Sequence, residues 1–597
     1  MISSRNKTLV GGLALCLTAS VLFVPGKGAA TEKPRSLVPG FVQEQNDQTS
    51  PGQPAEAGSE RSGGALDREV PRSREGLIVE RLDAINPASV GLIGSDDGGL
   101  GASLWRGTEP RVIDLLYSGM PTSSVSAQTR DLQRRFLLTG ALVPGSQEVG
   151  QSILETRLRK LRDAGLGADA VRMLDRLPLG SKTAATDALH ADLALLAGEN
   201  DKACALRDAA STDSFQVKLD IFCKLLAEDF DRAELGASLL AEQGEKDPLF
   251  FALVARLAGG EGAVKVAQDT LSGLDVAMIR AAGLSLDGAA FDRAPSGVVA
   301  ALMKAPSVLT SGQGDLAFRL AREGLLPAAD LRALLEGAGK ADSKAAPSSV
   351  DAVYGALLKA VSDASSASAK AEQLETLFSL ASANGDFSVI SALVIDDVAG
   401  LEPDAYVANF ELQALKALIL HNRFEAASEW ERHIRRSALQ GNAAERLAAR
   451  KTVAKLDAYL LLAGGQSLSR WNQSSLVGWL NAVADDPEQA SKTEFLLLSL
   501  EALGYSISAE DWEEALPAAL SAVSGTSNGV LERNLTAAAG NRRVGEVVGL
   551  SLALLGKDGA ETLSSNSLAV VLSGLRAVGL EREAGRLAFE AALFRNL

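Results

Sequence analysis

Residues 195–206 read LLAGENDKACAL, and residues 225–236 read LLAEDFDRAELG. The two stretches share one outline: a leucine pair, a short polar joint, then an alanine among charged residues. LILHNRFEAASE at 418–429 follows the same outline. A glycine followed five residues later by alanine recurs as Gly165/Ala170, Gly198/Ala203, Gly324/Ala329 and Gly579/Ala584, with Glu228/Ala233 and His421/Ala426 in the same places of the other copies. The physical sense is direct. Glycine ends one helix in a left-handed conformation, and alanine lets the next helix cross it closely.

The surroundings of these joints read as helices. From about residue 146 the chain is a series of amphipathic segments separated by Gly, Asp, Ser and Pro. Phe215, Leu219, Phe222, Cys223 and Leu226 fall at helical spacing and predict one buried stripe. The composition agrees: 46% of the 597 residues are hydrophobic but only 5% aromatic, and no sustained β-branched alternation occurs. The expected fold class is all-α.

LLAEDFDRAELGASLLAEQGEKDP (225–248), with Phe230, Ala233 and Pro248, and AVGLEREAGRLAFEAAL (577–593) resemble the tetratricopeptide-repeat class of α-solenoids. The resemblance implies helical hairpins stacked into a scaffold for a protein or peptide partner. The aromatic positions usual in that class are mostly absent, and the units vary in length. Breaks at GAGKADSKAAPSS (337–349) and SDASSASAKA (362–371) divide the expected array into blocks at 146–338 and 350–597.

The N-terminal region reads differently. MISSRNKTLVGGLALCLTASVLFVPGKGAA has a basic start, an apolar run from Leu9 to Val24, helix breakers, and small residues up to Ala30. This is the pattern of a signal peptide over 1–30, with an uncleaved membrane anchor as the alternative. Cys16 follows the bulky Leu15, which disfavours a lipid attachment there. Residues 31–75 are rich in Pro, Gln, Glu, Ser and Gly and read as a disordered tether. Residues 76–145 read as a small irregular cap, with helices expected in PRVIDLLYSGM and AQTRDLQRRFLLTGAL. Later in the chain VVGLSLALLG (547–556) is about half the length of a membrane span. Export to a bacterial periplasm is the expectation, with no integral membrane segment in the mature form.

Net charge narrows the partners. The formal charge is −16, and Arg5, Lys7 and Lys27 are the only charges in the first thirty residues, so their removal leaves −19. Such a surface opposes nucleic-acid and anionic-lipid binding. The short basic stretch ERHIRRSALQ (431–440) reads as a solvated helix face.

Signals for chemistry are few. His190, His421 and His433 are the only histidines, and none has a second ligand at metal spacing. GTSNG (525–529) fits an esterase elbow around Ser527, but helical sequence precedes it and no histidine follows His433. GLIGSDDGGLG (91–101), with Asp96 and Asp97, reads as a turn. Glu513 and Glu514 diverge on a helix, where paired-carboxylate chemistry needs them facing. No catalytic residue, cofactor or metal is expected.

Two features remain. Trp430, Trp471, Trp479 and Trp512 crowd the C-terminal block; core packing is their default, and an aromatic groove for a peptide is the sharper reading. Cys204 and Cys223 are expected to form a disulfide in an oxidising compartment, closing a loop worth about 3 kcal/mol. A turn at 210–213 would offset the two cysteines by about 6 Å along their helices. The expected function is an exported helical scaffold for another cell-envelope protein or peptide. The alternatives are an envelope hydrolase acting on glycan or ester substrates, and a structural spacer.

Overall fold

The polar joints are where helices end, and the reason lies in the backbone. Gly165, Gly198, Gly324, Gly385 and Gly579 all have φ between +72° and +85°. In each case the next amide reaches back to the carbonyl five residues earlier, as in Glu199 N to Ala194 O (2.8 Å) and Leu580 N to Leu575 O (3.0 Å). That bond satisfies a carbonyl the helix end would otherwise leave open. Glu228, Asn422 and Arg542 adopt the same conformation without being glycine, at φ 59°, 58° and 52°.

This shifts one expected copy by one residue. Asn422, not His421, is the left-handed residue, and Ala427 rather than Ala426 is the alanine buried against the preceding helix. Asparagine tolerates that conformation better than histidine because its short side chain bonds locally. Ala170, Ala203, Ala233 and Ala584 are fully buried, as the crossing requires. Ala329 is exposed instead, because Pro327 delays the next helix to Ala328.

The computed structural model describes residues 86–597 apart from 179, 209, 263, 267–270, 305–308, 342–349, 405, 407–409, 465–470 and 520–526. The expected signal segment 1–30, the tether 31–75 and the first part of the cap lie outside the described residues. Among the described residues the protein is all-α, with 26 α-helices. Its only paired strands there are Leu286–Asp287 and Leu309–Ser311, a short parallel contact. None of these helices is long and apolar enough to cross a membrane.

The cap helices fall where expected, at Pro110–Gly119 and Ala127–Leu138. They pack on the far end of the chain. Pro110–Gly119 and Ala127–Leu138 both meet Val544–Leu555, and Ala127–Leu138 also meets Glu581–Phe594. Hydrogen bonds close the seam: Gly545 N donates to Leu104 O at 3.0 Å, Val125 N to Lys557 O at 3.0 Å, and Gln128 N to Glu590 Oε1 at 2.9 Å. Glu590 also accepts from Ser126 Oγ, so a carboxylate of the last helix caps an early one. Arg135 and Glu583 add an ion pair at 2.5 Å. An early helix, Ala127–Leu138, and the last, Glu581–Phe594, are thus in contact.

Of the expected break at 337–349, residues 342–349 lie outside the described residues; the helices on either side, Ala328–Ala341 and Val350–Asp363, pack on each other. The hydrophobic core of the described residues forms two clusters. One cluster runs from Ala88 to Leu193 and resumes from Ala317 to Leu597, while a second occupies 191–320. The Ser214–Leu226 helix belongs mainly to the second. Its buried face takes in Ile221 and Leu225 beside Leu219, Phe222 and Cys223, whereas Leu226 is 41% exposed. Ile221 is drawn in because Gly236 of the next helix leaves room there; a Cβ on Gly236 would lie 3.0 Å from it.

The cap is held by Arg157, which is 1% exposed. Its guanidinium donates to Ala88 O (2.7 Å), Val90 O (2.9 Å), Leu137 O (2.6 and 3.2 Å) and Thr139 O (3.2 Å). All its donors therefore end on main-chain carbonyls, two of them at the C-terminus of a helix where positive charge is favoured.

His421 sits inside the array with its Nε2 2.8 Å from Ser391 Oγ. Burial, then the nearby Arg423, lowers its pKa to about 4. Between about 4 and the ordinary value of 6.5 the unfolded chain binds the extra proton and the folded one does not. Stability should therefore fall as pH drops through that window, by about 2–3 kcal/mol from this group. Melting curves of the wild type and of His421→Gln across the window check this. The variant should lose most of the acid-side decline, and equal declines would exclude His421 as its source.

Candidate functional site

Two joints of the array lie side by side and leave a hollow between them. The Gln147–Asp163 helix ends at the Gly165 joint, and the Ala184–Ala197 helix ends at the Gly198 joint. The Ser296–Met303 helix crosses both, giving a cavity of about 390 Å³. That size lies within the range of small-ligand sites, about 300–1,000 Å³.

Backbone contact makes this crossing possible. A Cβ on Gly297 would lie 2.2 Å from Arg162 O, so only glycine lets the helix sit this close. A buried ion pair fixes the other side. Arg162 Nη1 lies 3.1 Å from Asp192 Oδ2, and Gly273 N donates to Asp192 Oδ1 at 2.6 Å. Burial pushes the Asp192 carboxyl above its usual range against the pull of Arg162. The salt bridge and the amide favour its ionised form against that burial.

The cavity walls are small and apolar: Ala168, Val171, Ala194, Ala197 and Ala300. His190 lines it, is only 9% exposed, and has no hydrogen-bond partner for Nε2 among the described residues. Burial lowers its pKa, so the ring is neutral at neutral pH. Lys202 pairs with Glu199 at 3.2 Å, both about half exposed. Lys304 also lines the cavity and has no ion-pair partner among the described residues.

The disulfide lies beside this wall. Cys204 and Cys223 are bonded, with Cα atoms 5.8 Å apart. Cys204 sits near the end of the short Asn200–Ala205 helix, which carries Lys202. The first helix ends at Ala205 and the next begins at Ser214, a wider separation than the four-residue turn expected at 210–213.

The tryptophans are not gathered into one groove. Trp430 and Trp479 are each 1% exposed and offer no ring face to a peptide. Trp430 packs edge-on to Phe410, and Trp479 Nε1 donates to Thr493 Oγ1 at 3.1 Å. Trp471 and Trp512 are partly buried against the same core. Trp471 Nε1 lies 3.4 Å from Asp511 Oδ2 and, with Trp479, borders a cavity of about 180 Å³. In an array rich in alanine, these rings fill the gaps that small side chains leave.

The remaining polar candidates take structural places. Ser527 Oγ donates to the Glu532 carboxylate at 2.9 Å, and Asn528 caps the Gly529–Gly540 helix. His433 Nε2 lies 3.4 Å from Glu411 Oε1. Asp96 and Asp97 form an exposed helical turn, and Glu513 and Glu514 are exposed. Among the described residues, no three His, Cys, Asp or Glu side chains are grouped to hold a metal ion.

No family model, curated protein or solved structure matches this chain.

Lys304, Gly297 and Gly273 carry no sequence motif and were not anticipated. A faint signal exists for the second: Gly297, Ala300 and Ala301 put three small residues on one helical face.

Proposed function

We propose that the chain is an exported helical scaffold that binds a protein or peptide of the cell envelope, with hairpins of the tetratricopeptide-like kind as its building unit. The observation that carries the reading is the cavity between the Gly165 and Gly198 joints. It combines apolar walls with polar groups set to orient a ligand. Among the described residues His190 has no hydrogen-bonded carboxylate to orient it as a general base, and none of those lining the cavity is a serine or cysteine. The N-terminal signal pattern and the acidic surface support an exported protein that avoids nucleic acid.

Crosslinking in intact envelopes followed by purification tests this. A defined protein partner recovered with the wild type, and lost with an Ala300→Trp variant that fills the cavity, is the expected result. Turnover of peptidoglycan or ester substrates by the purified chain alone would overturn the reading in favour of a hydrolase.

A further inference from the structure

One helical hairpin ends in a tip whose chemistry differs from that of the acidic molecule around it. The Phe424–Ser437 helix turns into the Ala443–Leu462 helix, whose first buried residue is Leu456. None of residues 439–450 is buried, so the turn and the start of the second helix stand out from the core. Short contacts hold this tip together. Leu439 N donates to Arg436 O at 3.0 Å, and Arg446 Nη1 donates to Gly441 O at 2.6 Å. Asn442 Oδ1 caps the second helix, accepting from Ala444 N (2.9 Å) and Glu445 N (3.0 Å).

The surface of the tip is both basic and apolar. Residues 432–451 hold Arg432, Arg435, Arg436, Arg446, Arg450 and Lys451 against Glu445 alone, in a chain of net charge −16. Arg432 pairs with Glu429, Arg435 with Glu431 and Asp457, and Lys451 with Asp485. Arg436, Arg446 and Arg450 have no acidic partner among the described residues. Leu439 is 79% exposed and Leu447 59%. Leu447 follows Arg446 directly and shares a helical face with Arg450, three residues on.

The three unpaired guanidiniums call for an anionic partner, and shape decides which kind. A cleft holds a peptide or small ligand by enclosing it. A protrusion encloses nothing, and its leucines leave water only by entering the partner. A fluid lipid surface admits them while its phosphates meet the flanking arginines. The acidity of the whole chain does not forbid this. Charges are screened over about 8 Å at physiological salt, so a bilayer approaching the tip meets the tip's own charges first.

We propose that the tip docks on a bilayer containing anionic phospholipid, with Leu439 and Leu447 at the headgroup boundary and Arg436, Arg446 and Arg450 on the phosphates. This goes beyond the scaffold reading and uses none of the residues of its cavity. It gives the molecule one side that faces a membrane.

An environment-sensitive fluorophore on Leu439→Cys, in the full chain with Cys16→Ser, reads the tip itself rather than any other membrane contact. Cys204 and Cys223 are bonded and do not take the label. Vesicles of one part phosphatidylglycerol to two parts phosphatidylcholine should shift the emission to shorter wavelength. Half the shift should need about tenfold less lipid, or better, than with phosphatidylcholine alone. Arg436→Glu with Arg450→Glu, two exposed changes that break no ion pair, should raise the anionic lipid needed by about tenfold or more. Leu447→Ser should raise it by about threefold or more. No shift, an equal shift with neutral vesicles, or a charge-reversed variant as strong as the wild type would overturn the assignment. A shift with polyglutamate as large as with the anionic vesicles, or no effect of Leu447→Ser, would overturn it in favour of an acidic protein surface. Ala300→Trp should leave the shift unchanged, so this outcome is separate from that of the scaffold reading.

Discussion

Replacing Arg157 with methionine is expected to destabilise the folded chain by about 3–5 kcal/mol. Methionine keeps much of the volume but none of the donors, leaving the carbonyls of Ala88, Leu137 and Thr139 buried without partners. Each such orphan costs about 1–3 kcal/mol, offset in part by relaxation or entry of water. The contact of the guanidinium with the Tyr117 ring, at 5.5 Å, is lost as well. Arg157→Lys should recover only a small part, because an ammonium cannot span four carbonyls on two separate segments. Denaturant unfolding measures the loss, and limited proteolysis should cut first near residues 86–93. A lysine variant as stable as the wild type would show that charge alone, and not the planar fork, holds the cap.

The second large effect is expected at Trp105. Its ring is buried, stands edge-on to Tyr117 and Phe136 at 5.4 Å from each, and lies over Gly545, where a Cβ would come within 2.6 Å of it. Trp105→Ala should cost about 3–5 kcal/mol through lost burial and the cavity left behind. Gly545→Val should cost about 1–3 kcal/mol by forcing the same ring aside. Because both changes act on one contact, their combination should fall short of the sum by about 1 kcal/mol or more. Additive losses would mean that Trp105 stabilises the cap without joining it to the Val544–Leu555 helix.

The parts of the fold that could be read from the sequence are those written in single residues. Gly165, Gly198 and Gly579 announce helix ends because few other residues take a left-handed conformation cheaply. Where Glu228, Asn422 and Arg542 take it instead, the signal blurs, and the copy at 418–429 slips by one residue. Cys204 and Cys223 could be paired from compartment and spacing, although the length of the turn between them could not be judged.

Contacts between distant segments left no trace of that kind. Glu590 caps a helix more than four hundred residues earlier, and nothing local distinguishes it from a surface glutamate. The cavity was equally hidden, since it arises from the crossing of helices that are far apart in sequence. Gly297 and Gly273 matter because of what a Cβ would strike, and that is known only once the neighbouring helix is in place. The tryptophans allowed two readings, core packing as the default and a peptide groove as the sharper one. Trp430 and Trp479 follow the default, filling gaps in an alanine-rich core.

The contact between the early and late helices bears on how the protein comes apart. In an open row of repeats the terminal units have a neighbour on one side only, so they fray first and the row can melt inward from either end. Here the Ala127–Leu138 helix and the Glu581–Phe594 helix pack on each other. Loss of order in either of these helices has to breach the seam between them, so both are expected to show deeper hydrogen-exchange protection than the end units of an open row.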